Sequence, residues 1–87
     1  MTTHKLKVWP EYFKALKDGT KTFDVRLNDR NFQIGDLLIL QEWNPPTKSY
    51  TGQEIERKIV YILGGTDAQI FGIREGYCVL GLEVVSD

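Results

Sequence analysis

The stretch GTKTFDVRLNDR, residues 19–30, alternates between apolar and polar side chains and ends in a turn sequence. An alternation with a period of two residues is typical of a β-strand. The apolar side chains are those of Phe23, Val25 and Leu27. The polar side chains on the other face are those of Thr22, Asp24 and Arg26. We expect the apolar face to contact the core, so that the charges lie on the opposite face.

Another strand precedes this stretch near the N-terminus. In HKLKVW, residues 4–9, the side chains of His4, Leu6 and Val8 alternate with lysines, which predicts a half-buried strand. His4 has the same parity as the two apolar residues. We therefore expect a buried, hydrogen-bonded histidine rather than a general base.

A short helix connects these two strands. Pro10 suits the first turn of a helix, where a missing backbone N–H breaks no hydrogen bond. Trp9, Phe13 and Leu16 occur at helical spacing and predict an apolar stripe. Gly19 suits the left-handed conformation that ends many helices. The pattern places Trp9 in the core together with Phe13 and Leu16.

The second half of the chain predicts three more strands. LLIL, residues 37–40, is apolar on both faces, as in a central strand. EIERKIVYIL, residues 54–63, predicts a long strand with one apolar face. That face consists of Ile55, Ile59, Tyr61 and Leu63. YCVLGLEVV, residues 77–85, predicts a last apolar strand in which Gly81 permits a bend or a close backbone approach.

These elements predict one small α+β domain, mostly β, over residues 1–87. About five mainly antiparallel strands would form a small barrel with the helix beside it, because the connections are too short for repeated parallel crossovers. The chain has 87 residues and is 41% hydrophobic, which suits a single core. No apolar run reaches the length of a membrane span, so we expect a cytoplasmic protein without a membrane partner.

Metal and nucleophilic chemistry find little support in the sequence. The single histidine, His4, has no second histidine or cysteine pair at ligand spacing, so we expect no metal. Cys78 is the one cysteine, and its apolar surroundings predict a small buried side chain. Gly64 and Gly65 do not have the spacing of a phosphate-binding loop. We therefore expect no cofactor.

The charged residues in and around the strand predicted within residues 19–30 are the candidate functional site. They are Lys21, Asp24, Arg26, Asp29 and Arg30. Residues 1–30 carry seven Lys and Arg against four Asp and Glu, a net of +3 in a chain of net −1, which favours an anionic partner. Exposed ion pairs contribute only about 0–1 kcal/mol, so the group is either a solvated edge or a recessed site. In a recessed site, arginine offers paired donors to phosphate and aspartate an acceptor to an amino group.

Four aromatic residues and one loop complete the candidates. Trp9, Trp43, Tyr50 and Tyr77 could provide stacking surfaces for an unpaired base, although the helical spacing favours a core position for Trp9. Trp43 is expected to keep a partly open ring on which an unpaired base could stack. Pro45 and Pro46 follow it, and because proline cannot join a central ladder they mark an exposed, mobile loop.

Three motifs in order resemble a known family. They are H-x-L-K-x-W-P-x-x-F from His4 to Phe13, G-x-K-x-x-D-x-R from Gly19 to Arg26, and N-D-R-x-F-x-x-G-D-x-L-x-L-x-E-W from Asn28 to Trp43. Their combination resembles the ASCH domains of the PUA-like superfamily, and in particular a group of short bacterial and phage proteins that carry a domain of unknown function. The likeness extends from His4 to about Glu83.

The resemblance implies a PUA-like pseudo-barrel whose cleft is lined by the G-x-K-x-x-D-x-R strand. It implies that Lys21, Asp24 and Arg26 hold ligand positions, and that the partner is single-stranded RNA or a nucleotide-like small molecule. Some small ASCH proteins are instead ribonucleases, or amidohydrolases that act on acylated cytidine nucleosides through a lysine, a threonine and a glutamate. Lys21 matches that lysine, but Asp24 stands at the position of the threonine.

Two alternatives therefore stay open beside RNA or nucleotide binding. One is a small hydrolase in which Lys21, Asp24 and Arg26 are the catalytic residues. The other is a protein-interaction module of phage origin that uses the loop at Pro45 and Pro46.

Overall fold

The computed structural model describes residues 1–85, and residues 86 and 87 of the predicted domain lie outside that range. It contains five strands and two short helices. In chain order they are β1 (Thr3–Val8), α1 (Pro10–Lys17), β2 (Phe23–Leu27), β3 (Leu37–Asn44), β4 (Ser49–Leu63), α2 (Gly65–Ile70) and β5 (Tyr77–Val84). Within residues 1–85, no helix has the length and apolar content needed to cross a membrane.

All five strands belong to one curled sheet with the order β1-β3-β4-β5-β2, so the fold is the predicted mostly-β half-barrel. The pair β1–β3 is parallel, and the other three pairs are antiparallel. β3 is a central strand, as its apolar sequence predicts. β1 and β2 are the two edges of the sheet, which leaves an open seam between them.

The core lies on the concave side of the sheet and is closed by α1. Its strand residues are Leu6, Val8, Leu38, Leu40, Ile59, Cys78, Leu80 and Leu82. Phe13 and Leu16 of α1 pack onto them, as the helical spacing predicts. Arg57 fixes the end of this helix, because its Nη2 donates a 2.8 Å hydrogen bond to the Leu16 carbonyl oxygen.

His4 is a buried structural histidine, as predicted. Its Nε2 lies 2.9 Å from Oδ2 of Asp36, and its ring meets the Phe32 ring edge-on at 4.9 Å between centroids. Asp36 also accepts hydrogen bonds from the backbone N–H groups of Thr2 and Gln33. The hydrogen bond from His4, followed by that from Thr2, holds the pKa of Asp36 below its usual value even though burial opposes this effect.

The prediction about the two faces of β2 is wrong in direction. Asp24 is only 7% exposed, whereas Phe23, Val25 and Leu27 are 45–48% exposed. The register explains this, since Asp24 and Arg26 stand opposite Leu80 and Cys78 of β5, whose side chains point into the core. The side chains of Asp24 and Arg26 point inward from this edge strand and reach the open seam, where they contact polar groups.

The prediction for the inward face of β4 is wrong at Tyr61. A register shift lies between Ile59 and Tyr61, so Ile59 is fully buried whereas Tyr61 is 63% exposed. An extra residue in one strand reverses the side to which the following residues point. Gly81 provides the predicted close approach, because a Cβ atom there would lie 3.2 Å from the Tyr61 Cβ.

Candidate functional site

Two arginines of the β2 region bridge the open seam. Arg26 Nη2 donates a hydrogen bond of 2.6 Å to the backbone carbonyl oxygen of Lys7 on β1. Arg30 Nη1 donates one of 3.0 Å to the carbonyl oxygen of Lys5. A strand edge leaves backbone carbonyls unpaired, and guanidinium donors satisfy them here in place of another strand. Side-chain hydrogen bonds therefore connect the β2 region to β1 across the seam, in place of backbone pairing.

An ion cluster lies beside this bridge. Arg26 Nε donates a 2.7 Å hydrogen bond to Oδ2 of Asp24, and Lys21 Nζ lies 3.6 Å from Oδ1 of the same carboxylate. The Lys21 ammonium also lies 4.8 Å from the centroid of the Tyr12 ring. These groups carry two formal positive charges and one formal negative charge, so the formal net charge of the cluster is +1.

Local structure places Lys21 at the end of α1. The helix ends at Lys17, Asp18 is its C-cap, and Gly19 follows with a φ of 86°, the left-handed conformation that the sequence predicts for it. The Lys21 backbone N–H then donates to the Ala15 carbonyl oxygen at 2.9 Å. This turn directs the chain back along the helix, so the Lys21 ammonium lies close to Tyr12 and Asp24.

The ion cluster lies in a cavity of about 510 Å³. Its charged lining consists of Lys21, Asp24 and Arg26 together with Lys7 of β1, and its aromatic lining includes Trp9, Tyr12 and Tyr77. Ligand pockets in proteins have volumes of about 300–1,000 Å³ and combine apolar walls with a few polar groups. Three of the predicted site residues are thus brought together in a cavity of ligand size. We refer to this cavity, between the β1–α1 junction and β2, as the cleft.

Asp29 and Arg30 lie next to the cleft and not in it. They line a smaller cavity of about 140 Å³, whose lining also includes Arg26 and Leu27. Their own ion pair is loose, with 3.9 Å between Arg30 Nε and Asp29 Oδ1, and both side chains are exposed. An exposed pair of this kind contributes about 0–1 kcal/mol. The clearest structural role of Arg30 is its hydrogen bond to β1.

Trp43 is not brought together with the other predicted site residues. Its half-buried ring contacts the Lys7 ammonium, which lies 4.7 Å from the ring centroid, and it does not line either cavity. The ring centroid of Tyr50, which is opposite Trp43 on β4, lies 5.8 Å from the same ammonium. These two cation–π contacts place the Lys7 ammonium against the aromatic rings of the β3–β4 hairpin.

Tyr12 is a cleft residue that the sequence interpretation missed, and Trp9 is a cleft residue that it assigned to the core in preference to a stacking surface. The expectation that Trp9 is a core residue is wrong, because it is 51% exposed and stacks on Tyr12 with 6.4 Å between ring centroids. Trp9 precedes the helix, and its backbone is still extended. The strand alternation, which puts Trp9 on the lysine side of β1, was the signal that could have found it.

Cys78 lies under the ion cluster and is not available for chemistry. Its side chain is buried opposite Arg26 on the neighbouring strand. Burial, and in second place the negative charge of Asp24, raise the pKa of the Cys78 thiol. A buried thiol in this state is a packing residue, as the sequence predicts.

The fold and the cleft define a small mostly-β domain with a charged and aromatic pocket at the open seam of its sheet. Residues 3–82 match the model of a protein family described as a domain of unknown function, DUF3850, and the chain belongs to this family. It is 34% identical over 64 residues to an uncharacterised 12.9 kDa protein in the GpA 3' region of Escherichia phage P2. The match covers 74% of this chain and 57% of the phage protein.

Proposed function

We propose that the cleft binds a segment of single-stranded RNA or a nucleotide-sized ligand. The observation that carries this proposal is the placement of Lys21, Asp24 and Arg26 together in one cavity of about 510 Å³ with an aromatic wall. Unpaired bases are recognised in proteins by stacking on aromatic rings and by polar contacts to their edges, while cations meet the phosphate backbone.

The ion cluster has unused hydrogen-bonding capacity for such a ligand. Arg26 uses two of its five N–H donors in hydrogen bonds to Asp24 and Lys7. The Lys21 ammonium has three N–H donors, and its ion pair with Asp24 occupies one of them. These donors suit the oxygens of a phosphate or of a base. Asp24 retains acceptor positions that suit the amino group of a base, and Arg30 would extend the positive surface along the seam toward a neighbouring phosphate.

The net charge of the cluster bears on the kind of anion. One surplus positive charge matches the single negative charge that each phosphodiester of a nucleic acid carries. The motif resemblance to ASCH domains supports the same assignment, and we propose that this family shares their PUA-like ancestry and ligand class.

A small hydrolase is the second candidate, and one contact favours it. Lys21 Nζ lies 3.6 Å from an Asp24 oxygen within a cavity large enough for a substrate. In that case Lys21 would act as base or nucleophile, Asp24 would orient it, and Arg26 would stabilise an oxyanion. Turnover of N4-acylcytidines or of RNA, abolished by Lys21→Ala, would establish this activity in place of simple binding.

The experiment for the proposal is a binding titration at low salt with short RNAs and a panel of nucleosides and nucleotides. We expect saturable binding by the wild-type protein and at least a tenfold loss in the double variant Lys21→Ala, Arg26→Ala. Lys14→Ala is the matched control, because it removes one exposed positive charge of α1 that does not line the cleft. Absence of binding by the wild-type protein, or equal binding by the double variant, would contradict the proposal.

A further inference from the structure

Trp9 and Tyr12 form an exposed aromatic wall at the mouth of the cleft. Their side chains are 51% and 47% exposed, and their rings are inclined by only 25° to each other. Large aromatic side chains normally gain stability by being buried. Here two neighbouring rings stay half exposed beside a cavity, although Phe13 and Leu16 of α1 are buried in the core.

Lys21 fixes one of the two rings of this wall. Its ammonium lies 4.8 Å from the Tyr12 ring centroid and is itself paired with Asp24. Tyr12 is thus contacted by Trp9 and by a cation, whereas the contacts of Trp9 leave half of its surface open. The indole is the larger of the two rings, and it provides a flat apolar surface close to the charged part of the cleft.

The free edge of β2 lines the cleft as well. The Leu82 N–H donates to the Thr22 carbonyl oxygen, and the Asn28 N–H donates to the Gly76 carbonyl oxygen. Even-numbered residues of this strand therefore direct their backbone groups toward β5. Because these groups alternate along an antiparallel pair, the N–H and C=O of Val25 point away from β5 and into the seam.

A neighbouring donor and acceptor of this kind match the hydrogen-bonding edge of a nucleobase. We propose that the cleft takes a single unpaired base, which stacks on Trp9, directs its hydrogen-bonding edge to the free edge of β2 at Val25, and leaves its phosphodiester to Lys21 and Arg26. A base within a duplex cannot enter, because its partner strand occupies that edge and its neighbours occupy its faces. This assignment rests on the proposed function and adds the recognition element and the exclusion of duplexes.

The two tryptophans of the chain make the proposal testable by fluorescence, because each can be observed alone. Trp43→Phe leaves Trp9 as the sole indole, and Trp9→Phe leaves Trp43, which lies outside both cavities. The probes are short oligoadenylate, short oligouridylate and the duplex that the two form together. We expect a single-stranded probe to quench the emission of Trp43→Phe and not that of Trp9→Phe, and the duplex to have little effect on either.

Affinities give the second readout. We expect Trp9→Ala to weaken single-strand binding by about ten- to a hundredfold, the range of one stacked base, and Trp43→Ala to change it less than twofold. Trp9 is half exposed, so the variant should fold, and its circular dichroism spectrum serves as the check. Binding by Trp9→Ala at the wild-type level, without quenching of Trp9, would overturn the stacking role and leave the proposed function standing. Equal binding of the duplex, or absence of binding by every one of these probes, would overturn the unpaired-base assignment. The proposed function would fall with it only if the panel of nucleosides and nucleotides also showed no binding.

Discussion

Nη2 of Arg26 donates a 2.6 Å hydrogen bond to the backbone carbonyl oxygen of Lys7, and this contact joins the two edge strands that the sheet leaves unpaired. The same guanidinium holds Asp24 through its Nε. A single side chain thus fixes both the width of the seam and the carboxylate in the cleft. The structural and the binding roles of Arg26 are expected to be linked.

Replacement of Arg26 by alanine should destabilise the protein. The variant loses the bridge to β1 and the main partner of a buried carboxylate, and each loss of this kind costs about 1–3 kcal/mol. We expect the free energy of unfolding from urea titration to fall by about 2–3 kcal/mol. Arg30→Ala, which loses a similar bridge from an exposed position, should cost less than about 1 kcal/mol and serves as the matched control. Equal stability of Arg26→Ala and the wild type would show that the bridge does not hold the seam.

A pair of leucine variants tests the orientation of β2 and its neighbour. Leu80 is fully buried, whereas Leu27 is 48% exposed on the outer face. Leu80→Ala should lower the free energy of unfolding by about 2–5 kcal/mol, because it opens a cavity in the core. The chemically identical change Leu27→Ala should cost less than about 1.5 kcal/mol, since half of that side chain already contacts water. If the two costs were the same, Leu27 would be a core residue, as the alternation alone suggested.

The hydrogen bonds to Asp36 predict how stability depends on acid pH. The pKa of Asp36 is lower in the folded protein than in the unfolded chain, where it is about 3.9. The contribution of this carboxylate is therefore fully present above about pH 4 and is lost as the pH falls through the lower folded-state pKa. We expect the unfolding free energy of Asp36→Asn to be reduced at neutral pH and to fall less steeply below about pH 4 than that of the wild type. The measurement is a series of urea titrations across this range, with the exposed Asp29→Asn as control. If the unfolding free energy of Asp36→Asn fell with pH as steeply as that of the wild type, the acid dependence would come from other carboxylates.

The salt dependence of RNA binding should report the role of Lys21. Each phosphate of a single strand that a cation neutralises contributes about −0.7 to the slope of log K against log salt concentration. We expect Lys21→Ala to make that slope shallower by about 0.7, and Lys14→Ala to leave it unchanged. An unchanged slope in Lys21→Ala, together with weaker binding, would assign Lys21 to the base rather than to the phosphate.

The strands and the first helix are predictable from the sequence because they depend on local periodicity. The alternation at His4, Leu6 and Val8 predicts β1, the spacing of Phe13 and Leu16 predicts α1, and both agree with the structure. What periodicity cannot supply is the side on which the core lies. For an edge strand such as β2 that side depends on the partner strand and on the seam, and both are long-range features.

The candidate site was predictable in part for the same reason. Lys21, Asp24 and Arg26 are close in sequence, so their proximity follows from one strand and one turn. Trp9 and Tyr12 join them only because β1 and β2 lie at opposite edges of a curled sheet, which no local pattern shows. Trp9 also satisfies both a helical and a strand pattern, and the strand pattern is the one that agrees with its exposure.

The most direct test of the cleft as a binding site is a nuclear magnetic resonance titration of the labelled protein with short single-stranded RNA. We predict that shifts of backbone amide resonances concentrate at Trp9, Lys21, Val25, Arg26 and Tyr77, and that the indole N–H of Trp9 shifts while that of Trp43 does not. The hairpin turn at Pro45 and Pro46 serves as an internal reference. A spectrum that does not change, or one that changes mainly at that turn, would contradict the account.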